Sequence, residues 1–115
     1  MKFNIHDIGG KVIKDNDAYL LKDNLTLNNL VLSSTTLHPK KETNGHSHEG
    51  KEEIYYFIKG NGEMVVRYDI FEVKAGDVVL IPDGAFHQVQ NPTDKDLYFV
   101  CVFDGSRDYT KKDFK

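Results

Sequence analysis

The feature that most limits the fold of this chain is its punctuation. Turn-forming residues recur at short intervals: Gly9-Gly10, Lys14-Asp15-Asn16-Asp17, Asn24–Asn29, Gly60-Asn61-Gly62, Ala75-Gly76-Asp77, Pro82-Asp83-Gly84 and Asn91-Pro92-Thr93-Asp94. Between them lie short runs rich in β-branched and aromatic residues, such as Asn29–His38, Glu53–Lys59, Val78–Ile81 and Leu97–Phe103. No long stretch carries apolar residues at i, i+3, i+4 and i+7, so helices have no periodic support. Runs of this kind between frequent turns predict an all-β chain of roughly eight to ten short strands, arranged as a sandwich or barrel. Shorter strands are expected over Lys11–Ile13, Ala18–Leu21, Ala85–Gln90, and a hairpin of Glu63–Arg67 with Ile70–Val73 around Tyr68-Asp69.

Two of these strands are apolar on both faces. In Glu53–Lys59 a period-two reading puts Glu53, Tyr55 and Phe57 on one side and Ile54, Tyr56 and Ile58 on the other. In Leu97–Phe103 it separates Leu97, Phe99, Cys101 and Phe103 from Tyr98, Val100 and Val102. One face can line a barrel; the other needs cover from a second sheet, an arm or another copy, and a homodimer is the economical expectation. A length of 115 residues with 39% hydrophobic content suits one domain with one core. The net charge of −3 gives a nucleic-acid role no electrostatic support. Lys111, Lys112 and Lys115 are interleaved with Asp108 and Asp113, which reads as a solvated tail. Cys101 is the one cysteine, so no internal disulfide forms. The first eleven residues hold no apolar stretch of the length a signal peptide or membrane span needs, and the expectation is a cytoplasmic protein without membrane contact.

The chemistry is concentrated in Gly45–Gly60. His46 and His48 are two residues apart, so on an extended strand both imidazoles leave from one face and can grip one ion. After the turn signal Glu49-Gly50-Lys51, a hairpin brings the Glu53 carboxylate back beside them, and His87 offers a further nitrogen from downstream. Each residue alone has a plainer reading. The histidines sit in a very polar stretch, Glu53 suits a surface, and His87 suits a hydrogen-bonded place in the barrel. The joint pattern favours a metal site.

That pattern resembles the cupin superfamily, small β-barrels on a jelly-roll plan. Its first motif is Gly, five residues, His-x-His, three or four residues, Glu, six residues, Gly; His46-Ser47-His48, Glu53 and Gly60 fit it, while Lys40 stands where the leading Gly is expected. Its second motif is Gly, five residues, Pro-x-Gly, two residues, His, three residues, Asn; Gly76, Pro82, Gly84, His87 and Asn91 match throughout. The resemblance spans about residues 29–104, with lead-in strands over 1–28 and a short tail over 105–115 that has room for one helical turn. It implies an all-β jelly-roll barrel with metal ligands at His46, His48, Glu53 and His87. Three neutral imidazoles with one carboxylate suit a divalent Mn, Fe, Co, Ni, Cu or Zn ion. Four protein ligands on an ion that prefers six leave positions for a small-molecule substrate.

The end of the chain is similar to the terminal segment of small pectin-degrading cupins. Those carry Asp, a Phe two residues later and an Arg four further on; Phe103 and Arg107 match, and Cys101 stands at the Asp position. Arg107 is placed to bind a substrate carboxylate, and Tyr55, two residues from Glu53, to donate a proton or hydrogen bond. The leading expectation is a metal-dependent isomerase- or lyase-like enzyme acting on a carbohydrate-derived or other small oxygenated metabolite. The alternatives are an Fe-dependent dioxygenase and a non-enzymatic sugar or metabolite binding module.

Overall fold

The computed structural model describes residues 1–47 and 49–105. Ten strands follow one another: β1 (Lys11–Asp15), β2 (Tyr19–Asn24), β3 (Leu30–Leu37), β4 (Lys41–Glu42), β5 (Glu53–Lys59), β6 (Asn61–Val66), β7 (Asp69–Lys74), β8 (Val78–Ile81), β9 (His87–Asn91) and β10 (Leu97–Asp104). Among the described residues no helix forms. The strands build a six-stranded sheet, β1-β2-β3-β10-β5-β8, and a four-stranded sheet, β4-β9-β6-β7, with every pairing antiparallel. The fold is the all-β jelly roll.

The inner faces enclose one core. Leu37, Phe57, Leu97 and Phe99 of the larger sheet meet Met64, Val73 and Val89 of the smaller one. The alternation read in β5 and β10 is kept: Glu53, Tyr55 and Phe57 are buried while Ile54 and Tyr56 are exposed, and Leu97, Phe99 and Cys101 point inward. Burying a side chain the size of Phe57 gives about 2–3 kcal/mol.

Several connections pass from one sheet to the other, and the turn residues make those corners. Gly60 joins β5 to β6 at φ 95°, and a Cβ there would stand 2.6 Å from the Asp96 carbonyl oxygen. Only glycine suits both conditions. The expected turn over Gly60-Asn61-Gly62 is correspondingly shorter, because Asn61 and Gly62 already pair in β6. The β6–β7 hairpin turns on Arg67 and Tyr68, one residue earlier than expected, with Arg67 at φ 57°. At this end Asn91, 1% exposed, donates from Nδ2 to the carbonyls of Leu37, His38 and Lys95. It ties three segments together.

The outer face of the larger sheet is covered in part. The first ten residues lie over β2 and β10: Tyr98 donates to the Ile5 carbonyl at 2.7 Å, Asn24 Nδ2 to the Ile8 carbonyl at 2.7 Å, and Ile8 is 1% exposed. Among the described residues nothing covers the outer face of β5 and β8: Ile54, Tyr56, Val78 and Leu80 are exposed, while Ile58 is half-buried. The tail over 106–115, with the helical turn expected for it, lies outside the described residues.

Candidate metal centre

Three of the four expected ligands stand together. His46, Glu53 and His87 each offer one donor atom, and those atoms lie within 4.8 Å of one another. They reach this point from different parts of the fold. Glu53 opens β5, His87 opens β9, and His46 lies in the connection between β4 and β5. His46 lies outside the ten strands and makes an isolated bridge to His87. The His46 N–H donates to the His87 carbonyl at 3.2 Å, and the His87 N–H donates back at 3.0 Å. His48 lies outside the described residues.

Backbone carbonyls fix the direction of both imidazoles. His46 Nδ1 lies 3.0 Å from the Asn44 carbonyl, and His87 Nδ1 lies 3.0 Å from the Ala85 carbonyl. A carbonyl only accepts, so each Nδ1 carries the proton and each Nε2 keeps its lone pair. A carbonyl holding the far ring nitrogen in this way is the usual support of a metal-binding histidine.

The spacing and the donor types fit an ion. His87 Nε2 and Glu53 Oε2 are 3.6 Å apart, beyond hydrogen-bond reach. Two ligands bonded at about 2.1 Å to one ion lie about 3.0–3.6 Å from each other. His87 is 2% and Glu53 8% exposed, while His46 faces solvent, so the cluster is open on one side. Gly45, next to His46, makes room for Phe86, next to His87: the ring lies where a Cβ of Gly45 would be, so any other residue would push it aside.

Tyr55 is placed below the cluster. Its ring meets His87 edge-on at 5.7 Å and stacks on Phe99 at 5.5 Å. Cys101 faces it directly across the β5–β10 pair. Burial pushes both groups well above their ordinary values, and the nearby Glu53 carboxylate adds to the rise of each, so both stay protonated. Arg107 lies outside the described residues.

The same row continues to a residue that the sequence reading missed. Tyr55 stands opposite Cys101, Cys101 opposite Ser33, and Ser33 opposite Asp23. Asp23 was hidden because the strand was expected to end at Leu21 and an Asp beside Asn24 reads as turn chemistry. The available signal was the alternation Tyr19, Leu21, Asp23 on one face.

The chain is similar to an oxalate-binding protein of Thermotoga maritima, 36% identical over 66 residues, covering 57% of this chain and 54% of that one. It is also similar to a glucose-6-phosphate isomerase of Thermococcus litoralis, 26% identical, covering 81% of this chain and 57% of that one. The chain spans about half the length of the curated relatives it matches first. A protein of Klebsiella pneumoniae with a double-stranded β-helix domain superposes with a TM-score of 0.77 at 23% identity, over 90% of this chain and 88% of that one. The family model described as a cupin domain matches residues 33–103, most of both sheets and all three clustered donors, and the chain belongs to the cupin family.

Proposed function

We propose that this chain is a mononuclear metal-dependent enzyme with an isomerase- or lyase-like activity on a small oxygenated metabolite. The supporting observation is the convergence of His46, Glu53 and His87, with both imidazoles locked as Nε2 donors by backbone carbonyls. His46, Glu53 and His87 hold the ion, and His48 joins them by its place in the motif. Once bound, a divalent ion supplies Lewis-acid polarisation of a carbonyl or hydroxyl oxygen. Tyr55, kept protonated by burial, offers its O–H to an oxygen of the bound compound from the apolar side. Phe99 and Phe57 behind it keep water from that side. Arg107 receives a carboxylate group. The exposed Ile54, Tyr56, Val78 and Leu80 face seats a second copy, making a homodimer.

His87→Ala tests the centre. His87 sits on β9, whose backbone pairing with β6 does not depend on the imidazole, so the variant is expected to keep the β-sheet circular dichroism signal and lose stoichiometric metal. Full metal retention sinks the site. Elemental analysis of protein purified without added metal separates the chemistries: zinc, nickel or manganese supports the isomerase or lyase reading, and iron the dioxygenase.

A further inference from the structure

Two asparagine–glycine pairs occur in the chain, Asn44-Gly45 and Asn61-Gly62, and the fold treats them oppositely. Such a pair is a chemically fragile link, because the glycine nitrogen has no neighbouring Cβ to hinder its attack on the asparagine carboxamide. The attack needs the backbone to turn until that nitrogen faces Cγ, which an extended and paired strand prevents. Asn61 and Gly62 are in this protected state, since both lie in β6 and pair with Lys74 and Val73. Asn44 and Gly45 lie outside the strands, in the connection between β4 and β5, and both are exposed.

The side chains differ as well. Asn4, Asn16, Asn24 and Asn91 each accept at Oδ1 a hydrogen bond from the backbone N–H two residues on, which holds the carboxamide in a local turn. Among the described residues no hydrogen bond holds the Asn44 carboxamide or the Gly45 N–H. The glycine cannot be exchanged for a safer residue, because the Phe86 ring fills the place of its Cβ. The fragile pair is therefore fixed beside His46.

The reaction would reach the cluster through one atom. The Asn44 carbonyl is the group that lies 3.0 Å from His46 Nδ1. When the Gly45 nitrogen bonds to Asn44 Cγ, the Cγ–Nδ2 bond breaks and ammonia leaves with the proton from Gly45. Water then opens the resulting succinimide at either carbonyl. Opening at Cγ leaves an ordinary aspartate. Opening at the main-chain carbonyl leaves isoaspartate: the chain now runs through Cγ, longer by a methylene, and the former main-chain carbonyl becomes a free carboxylate on a side branch. Its register with the His46 ring is lost.

We propose that Asn44-Gly45 is a spontaneous deamidation site, and that its isoaspartyl product frees His46 from the carbonyl that orients it and so weakens metal binding. The modification stands on the loop alone; its effect on the ion rests on the metal-centre reading.

The test ages the full chain, freed of metal, in warm and mildly alkaline buffer, follows it by peptide mapping and then titrates it with Co2+. The expected result is a gain of one mass unit with isoaspartate at position 44 and none at position 61, and an unchanged β-sheet circular dichroism signal. The modified fraction is expected to bind Co2+ about ten-fold or more weaker than the fresh chain, the scale of losing a group that orients a histidine ligand. Treatment with L-isoaspartyl O-methyltransferase and S-adenosylmethionine converts isoaspartate to aspartate, restores the ordinary backbone and is expected to recover most of that loss. An intact amide at position 44 after ageing overturns the proposal, as does equal isoaspartate at position 61. A modified chain that binds Co2+ like the fresh one, or stays weak after repair, overturns it too. A fresh chain that takes up no Co2+ removes the metal reading and the proposed effect on it, while the peptide map still decides the modification.

Discussion

At the scale of single residues, Asp23 and Lys40 each occupy a position that is locally unfavourable. Lys40 adopts φ 65°, the left-handed region in which an L side chain is strained and glycine is not. This explains why the family motif has glycine at that place, and how a lysine is kept there: its Nζ donates to the Pro92 carbonyl at 2.8 Å and lies 3.3 Å from Asp94. Asp23 makes its cost visible through pH. A carboxyl that burial makes harder to ionise favours folding in its protonated form. That contribution is complete below the ordinary value of 3.8 and is lost as pH rises through the higher folded-state value. At pH 7 the charged Asp23 therefore opposes folding. Asp23→Asn is expected to raise Tm by a few degrees at pH 7, with the gain closing as pH falls below 3.8. Equal gains at both ends of the range would show that the charge is not the cause.

At the scale of elements, the N-terminal arm is a part of the outer layer. Ile8 is as buried as any core residue although it precedes the first strand. Ile8→Ala is expected to cost about 2 kcal/mol or more in urea unfolding, with Co2+ binding unchanged because the arm lies on the far side of the sheet from the cluster. How far the elements were legible follows from where their signals reside. β5 and β8 were readable to the residue because their apolar runs are bounded by turn residues within the same short stretch. The two motifs carried the metal cluster, since each is a local spacing. Ile8 was not legible, because its burial comes from β2 and β10, distant in the chain. Asn61 and Gly62 were read as turn, yet pairing with β7 holds them in a strand that their own propensities oppose. The loop carrying His46 depends on a bridge to His87, a partner that no local pattern announces.

At the scale of the whole molecule, the larger sheet has unlike margins. Its β1 edge carries Lys11, Lys14 and Asp15, charges that discourage pairing with another chain. Its β8 edge is Val-Val-Leu-Ile, with Leu80 67% and Val78 58% exposed beside Ile54 and Tyr56. An apolar margin of this kind favours association, which is why the second copy is proposed there. Leu80→Glu is expected to convert a dimer to a monomer in light scattering while the circular dichroism spectrum stays the same. A parent chain that runs as a monomer at all concentrations would remove the homodimer.

The pair of backbone hydrogen bonds between His46 and His87 has a consequence for timing. The two imidazoles are held at their posts by main chain and carbonyls before any cation arrives. For these two donors uptake is expected to need no slow rearrangement of the polypeptide, so that its speed is set by how fast the incoming cation sheds water. A cation that exchanges its hydration shell quickly should load within the mixing time of a stopped-flow instrument, and one that exchanges slowly, such as nickel, should lag behind it.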